Sequence, residues 1–107
     1  MRAYEPLRRR GDFARVTRRG RRYAGTCLTC FVADGRRCTR VGITISGSIG
    51  GAVVRNRLRR RIKAILDRYP LHAPPWRDIV FIARPGAGQI RFPALADEIA
   101  RIFPAAS

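Results

Sequence analysis

The sequence predicts a small α+β fold in which helices cover a short β-sheet. Residues 40–46 alternate apolar side chains with small or polar ones, as a half-buried strand does. Residues 78–84 contain a continuous apolar run, which indicates a strand buried on both faces. Residues 52–69 carry apolar side chains every three or four positions, the period of a helix with one buried side. Both periods within 107 residues predict a single domain, residues 1–107.

The remaining elements are less regular in sequence. A short helix is expected over residues 7–16, and residues 23–33 favour a strand that an additional break would divide into two. The Asp34-Gly35 pair indicates a hairpin turn before the next strand. A last helix is expected to begin at Pro93. The predicted order is therefore helix, strand, strand, helix, strand, helix.

The helix over residues 52–69 has two chemically different sides. Its apolar stripe consists of Val54, Leu58, Ile62, Ile65 and Tyr69. At about 100° per residue, the opposite side collects Asn56, Arg59, Arg60 and Lys63. One side therefore faces the core and the other forms a basic ridge, and Pro70 ends the helix.

The charge of the chain indicates a polyanionic partner. There are 23 basic and 7 acidic residues, which leaves a net charge of +16. Residues 1–68 hold 19 of the 23 basic groups and 4 of the 7 acidic groups, so the charge is one-sided. Such a chain repels itself at neutral pH, and RNA or DNA would relieve the repulsion.

Two segments are predicted to make the polyanion contacts. Seven of the nine residues from 55 to 63 are polar or basic and none is a carboxylate, whereas a self-neutralising surface helix alternates in sign. The predicted RNA-binding residues on this helix are Arg55, Asn56, Arg57, Arg59, Arg60 and Lys63. A secondary basic patch is predicted at Arg18, Arg19, Arg21 and Arg22.

Neither a catalytic residue nor a metal site is predicted. The chain has three cysteines, Cys27, Cys30 and Cys38, and the spacing of the first two suggests zinc. On a strand, however, these two point to opposite faces, and a fourth ligand is missing unless His72 is recruited. Reduced, buried thiols are the favoured interpretation. The glycine-rich residues 47–51 lack the Gly-Lys-Ser/Thr ending of a nucleotide-binding loop. The few carboxylates are too scattered for a two-metal nuclease site.

The sequence contains no run of 18 apolar residues and no apolar stretch behind the first methionine that would be typical of a signal peptide. A cytoplasmic location without membrane contact is therefore expected.

Two consecutive motifs resemble the signature of the bacterial ribonuclease P protein family. The first is Arg40-Val41-Gly42-Ile43-Thr44-Ile45-Ser46, and the second runs from Ile49-Gly50 through Ala52-Val53 to Arg55-Asn56-Arg57-Leu58-Arg59-Arg60. Asp12-Phe13 and the strand at residues 78–84 agree in order and spacing, so the resemblance spans about residues 7–103.

The resemblance implies an α-β-β-β-α-β-α order with a left-handed β-α-β crossover, which is uncommon. It also implies an accessory subunit of an endoribonuclease that removes the 5′ leader from precursor tRNA. The expected partners are the catalytic RNA subunit, which holds the active site and requires Mg²⁺, and the leader of the precursor. No cofactor is expected to bind this chain directly.

Carried over by position, the resemblance assigns Phe13 and Phe31 to a cleft that binds the leader. It assigns Asn56, Arg60 and Lys63 to polar contacts of the signature helix. The chain departs from the family pattern where an aromatic or basic residue is usual, at Thr17, Gly47, Ser48 and Gly51.

Two other functions are compatible with size and charge. Another basic RNA-binding module, such as a ribosomal protein, would account for both but not for the signature helix. A nuclease acting alone would need acid and base groups that the sequence does not bring together.

Overall fold

The computed structural model describes residues 3–103, in which five strands form one mixed sheet and three helices cover it. The strands are β1 (Glu5–Pro6), β2 (Arg21–Ala24), β3 (Leu28–Asp34), β4 (Arg40–Thr44) and β5 (Arg77–Ala83). The helices are α1 (Arg10–Arg19), α2 (Ala52–Leu66) and α3 (Phe92–Ala100). The predicted α+β class is confirmed, and β1 is an addition to the expected order. No helix in this part of the chain is long and apolar enough to span a membrane.

The first helix begins at Arg10, three residues later than the sequence predicted. The residues before it pair with the sheet instead. The backbone N–H of Glu5 donates to the Thr39 carbonyl and that of Leu7 to the Val41 carbonyl, each at 2.9 Å. Because these residues extend the sheet beside β4, the helix cannot start before they end.

The predicted strand over residues 23–33 is divided into β2 and β3, as the additional break allowed. A carboxylate on α3 stabilises the turn between them. Glu98 accepts hydrogen bonds from the backbone N–H groups of Cys27, at 3.1 Å, and Leu28, at 3.2 Å. In this turn, charge-assisted hydrogen bonds to Glu98 therefore take the place of hydrogen bonds between strands.

The sheet has the strand order β1-β4-β5-β3-β2. Strand β4 runs parallel to both β1 and β5, whereas β3 is antiparallel to β5 and to β2. Because α2 connects the parallel neighbours β4 and β5, the β-α-β crossover that the resemblance implies is present. The left-handedness of this crossover stays a prediction.

The sheet is covered on both faces, which explains the continuous apolar run of β5. Ile79, Val80 and Phe81 are all fully buried. Val80 packs with Leu7 and Val16 beneath α1. Its neighbours Ile79 and Phe81 point the other way, into the larger core that includes α2 and α3.

Helix α2 contributes its apolar stripe to that larger core. Leu58, Ile62, Ile65 and Leu66 are buried. The helix ends at Leu66 rather than at residue 69. The N–H groups of Arg68 and Tyr69 donate to carbonyls three residues earlier, at 3.0 and 3.1 Å, which tightens the last turn before Pro70.

A buried carboxylate fastens α1 to the sheet. Asp78 on β5 is only 2% exposed and accepts hydrogen bonds from Arg40 on β4, at 3.0 and 2.8 Å, and from Arg15 on α1. Asp12 on α1 completes this Asp78 network by pairing with Arg40 at 3.3 Å and with Arg15 at 3.6 Å. Burial alone would raise the pKa of Asp78, but the hydrogen bonds from both arginines outweigh it, and the pKa lies below its ordinary value.

We expect the Asp78 network to make folding stability fall in acid. A lowered folded pKa stabilises the fold above the unfolded value of about 3.9, and the contribution is lost as the pH falls through the folded pKa. Asp78→Asn should therefore lower the free energy of unfolding at pH 7 by about 1.5–3 kcal/mol.

Urea denaturation of both proteins across the acid range measures this effect. The difference should shrink as the pH decreases, because the wild-type carboxylate becomes neutral too. Asp97→Asn, which removes an exposed carboxylate of α3, is the control and should change little. A difference for Asp78→Asn that stays constant into the acid range would contradict the proposed role of its charge.

Candidate nucleic-acid interface

The solvent side of α2 is the first candidate surface. Because Leu58 and Ile62 are buried, the residues on the opposite side of the helix face outward. They line an open hollow of ≈ 440 Å³, and we call this set the α2 surface: Val53, Asn56, Arg59, Arg60 and Lys63. It contains three cations and no carboxylate, a composition that suits phosphate groups.

Hydrogen bonds within the α2 surface orient one of its polar groups. A guanidinium N–H of Arg59 donates to the Oδ1 atom of Asn56 at 3.3 Å, which leaves the amide NH₂ of Asn56 free to donate. Val53 is 77% exposed and was not among the predicted residues. Its spacing of three and seven residues from Asn56 and Arg60 could have identified it.

Two of the six predicted helix residues do not line the α2 surface. Arg57 donates to the Gly88 carbonyl at 3.3 Å, in the loop between β5 and α3. Arg55 is half-buried, and its Nε atom has no hydrogen-bond partner among residues 3–103. Arg61 likewise donates to the Ile90 carbonyl at 3.5 Å. The arginine run therefore divides between a solvent-facing group and a group that contacts the following loop.

The second candidate surface lies between α1 and the sheet, where the structure brings Phe13 and Phe31 together. Both are half-buried and pack against the cluster of Leu7, Val16 and Val80. We call this region the aromatic cleft. Each ring combines a buried part with an exposed part, so the aromatics serve the core and remain accessible to a ligand.

A glycine of the signature strand sets the position of Phe13. A Cβ atom at Gly42 would lie 2.4 Å from the Cζ atom of the Phe13 ring and 2.6 Å from Cε1. Such distances are too short for any side chain to fit. The ring of Phe13 therefore lies directly on the backbone of β4, which explains the glycine in an otherwise regular strand.

The sheet register extends the aromatic cleft to a cation. Gly42 pairs with Val80, Val80 with Phe31, and Phe31 with Arg22, which places all four in one row on one face. Arg22 is exposed beside the half-buried Phe31. A cation next to an aromatic ring offers both a phosphate contact and a stacking surface.

The predicted secondary basic patch is not one surface. Arg22 belongs to the aromatic cleft, whereas Arg21 pairs with Val32 on the opposite face of the sheet. Arg18 and Arg19 lie in the last turn of α1, where cations are favoured by the helix dipole. All four are exposed, but only Arg22 adjoins Phe31.

The departures from the family pattern leave uncharged groups near the two surfaces. The Thr17 hydroxyl donates to the backbone carbonyls of Phe13, at 2.9 Å, and Ala14, at 3.2 Å, and so contacts its own helix. Gly47 and Ser48 form an exposed 3₁₀ turn between β4 and α2, and Gly51 is the N-cap of α2. This connection therefore carries no cation that could contact RNA.

The three cysteines carry free thiols in this structure, and the predicted burial holds for one of them. Cys30 is buried, and burial together with the nearby Glu98 carboxylate raises the pKa of its thiol to about 12. Cys27 and Cys38 are half-buried. Within residues 3–103, no three His, Cys, Asp or Glu side chains come close enough to hold a metal ion.

Comparison with known proteins identifies the family. The family model described as Ribonuclease P matches residues 1–107. The ribonuclease P protein component of Roseiflexus castenholzii is 43% identical over 105 residues, covering 95% of this chain and 84% of that protein. The corresponding protein of Acidothermus cellulolyticus is 38% identical over 100 residues, covering 91% and 83%.

Solved structures agree with this result. The RNase P protein of Staphylococcus aureus superposes with a TM-score of 0.82 at 23% identity, covering 95% of this chain and 94% of that one. The RNase P protein of Thermotoga maritima gives a TM-score of 0.77 at 25% identity, covering 92% and 94%. The first shows the shared fold, and together with the sequence matches these comparisons show that the chain belongs to the ribonuclease P protein component family.

Proposed function

We propose that this chain is the RNA-binding protein subunit of ribonuclease P and helps a catalytic RNA to remove the 5′ leader of precursor tRNA. Its family membership supports the ribonuclease P assignment. The observation that supports RNA binding is the α2 surface, where three cations and one amide face solvent without a carboxylate. A ribosomal protein would share the charge, but the family match does not favour it.

In this proposal the two surfaces have different ligands. The α2 surface binds phosphates of the catalytic RNA, because its cations are arranged along a rigid helix. Such phosphate contacts position an RNA without reading its base sequence. The aromatic cleft binds the single-stranded leader, whose unpaired bases can stack on Phe13 and Phe31 while Arg22 contacts the backbone. The holoenzyme then binds precursor tRNA more tightly than mature tRNA, since mature tRNA has no leader.

The chain contributes positioning and charge rather than chemistry. The reacting Mg²⁺ ions belong to the RNA subunit in this proposal. Two RNAs that approach one another repel strongly through their phosphates, and a subunit with 23 basic and 7 acidic residues lowers that repulsion. The protein should therefore matter most when little Mg²⁺ is available to screen the phosphates.

Reconstitution with the cognate catalytic RNA tests the proposed function directly. We expect cleavage of precursor tRNA by the RNA together with the protein, and none by the protein alone. The stimulation by protein should be largest at low Mg²⁺. Metal-dependent cleavage by RNA-free protein that a point mutation in this chain abolishes would show that the active site lies in the protein.

Removing a cation from the α2 surface should weaken binding of the catalytic RNA regardless of its sequence. Arg60→Ala or Lys63→Ala should also reduce the slope of log affinity against log salt by about 0.9 per lost phosphate contact. Filter-binding titrations over a salt series measure both effects. Arg101→Ala is the matched control, because it removes an exposed cation at the end of α3, outside the α2 surface. An equal effect of Arg101→Ala would mean that only net charge matters.

Truncating the cleft aromatics should act on the leader alone. In the holoenzyme, Phe13→Ala and Phe31→Ala should weaken binding of precursor tRNA by about 1–3 kcal/mol per stacked base and leave mature tRNA almost unaffected. Phe92→Ala is the control, since it removes a half-buried aromatic of α3 that stacks under Arg68 at 5.3 Å. Each variant is first compared by thermal melting. Equal losses for precursor and mature tRNA in folded variants would assign both aromatics to the core only.

A further inference from the structure

A second positively charged hollow lies at the end of the sheet where α1 begins. Its volume is ≈ 660 Å³. The Asp78 network forms its floor, and its rim carries Arg9 before α1 and Arg36 and Arg37 in the turn between β3 and β4. We call it the arginine hollow. Its residues come from distant parts of the chain, so the fold creates it.

The rim of the arginine hollow carries charge that the protein does not neutralise. The lining has five arginines and three aspartates, two positive charges in excess. Asp12 and Asp78 are already paired with the two floor arginines. The side chains of Arg9, Arg36 and Arg37 are exposed and form no hydrogen bond or ion pair with any residue from 3 to 103. Three unpaired guanidinium groups around one hollow favour an anion with several oxygen acceptors.

The hollow continues the aromatic cleft on the same face of the sheet. The row of Gly42, Val80 and Phe31 forms the cleft, and two residues further along β4 and β5 lie Arg40 and Asp78 in the floor of the hollow. Two residues of a strand span about 7 Å. In the other direction β4 leads to Thr44 and then to the start of α2. Along β4 the cleft therefore lies between the arginine hollow and the connection that leads to α2.

This arrangement suits an RNA strand that runs from the start of α2, through the aromatic cleft, to the arginine hollow. A strand that leaves the catalytic RNA at α2 and stacks its bases in the cleft reaches the arginine hollow with the nucleotides farther from the cleavage site. Beyond the rings of Phe13 and Phe31, the rim offers three guanidinium groups, whose forked N–H donors match the oxygen atoms of a phosphate.

We propose that the arginine hollow binds phosphate groups of the leader nucleotides that lie beyond the aromatic cleft. The inference rests on the proposed function and extends it: the leader is held by its bases in the cleft and by its backbone in the hollow. The affinity for precursor tRNA then depends on leader length in two stages.

The test uses the reconstituted holoenzyme and precursor tRNAs whose leaders are lengthened one nucleotide at a time. For the wild type we expect the affinity to rise once when the leader fills the cleft and again when it reaches the hollow. The double variant Arg36→Ala/Arg37→Ala should lose the second rise only, by about threefold to tenfold per arginine at moderate salt. Both arginines are exposed and unpaired within the described chain, and thermal melting verifies that the variant is folded.

A variant of opposite sign provides a matched control. Asp34 is an exposed carboxylate of the same hollow, and Asp34→Asn should strengthen binding of the longer leaders only. Arg101→Ala, which removes one cation elsewhere, should affect all leader lengths equally and weakly.

The outcomes separate the inference from the proposed function. If the double variant loses the same affinity at every leader length and for mature tRNA, the hollow contacts another RNA and the inference is wrong. The inference is equally wrong if the variant loses nothing at any length. In both cases the proposed function stands as long as the affinity of the wild-type holoenzyme still rises when a leader is present. If the wild type gains nothing from any leader, the proposed leader binding fails, and the inference with it.

Discussion

The scarcity of carboxylates is the constraint on which the structure depends. With 7 acidic residues against 23 basic ones, few cations can be neutralised within the chain. Asp78 is buried where it joins β4, β5 and α1, and Glu98 caps the turn between β2 and β3. These acids therefore stabilise the framework. Within residues 3–103 only two cations, Arg15 and Arg40, form ion pairs. The excess of unpaired cations disfavours the isolated protein and favours its complex with a polyanion.

The distribution of the remaining cations gives the protein two basic surfaces besides the aromatic cleft. The α2 surface projects from a rigid helix whose buried side includes Leu58 and Ile62. The arginine hollow is built on paired charges, so its floor is held in place by the same contacts that hold α1 on the sheet. Stability and the phosphate binding proposed for the hollow are thus coupled through Asp78, since weakening its contacts would also displace the floor of the hollow.

Regular elements could be predicted from sequence because their periodicity reflects burial on one or both sides. The α2 stripe, which faces the larger core, is one example. The run at Ile79–Phe81 is the other, and its side chains alternate between the larger core and the cluster beneath α1. The start of α1 could not be predicted, because it depends on backbone pairing of Leu7 with Val41, a contact between distant residues. For the same reason the sequence did not reveal the arginine hollow, nor that the exposed Arg57 side chain donates to the Gly88 carbonyl. The assignment of Phe13 and Phe31 to one cleft came from the family resemblance and not from spacing.

The contact between Phe13 and the backbone at Gly42 has a consequence for how this surface diverges between relatives. The depth of the aromatic cleft depends on Gly42, a position that has no side chain and would touch no ligand. Any larger residue at this position would push the Phe13 ring outward and change its separation from Phe31. The shape of the aromatic cleft can therefore change without replacement of any residue that would contact the ligand. A scan limited to contact residues would overlook the position that controls the shape of the groove.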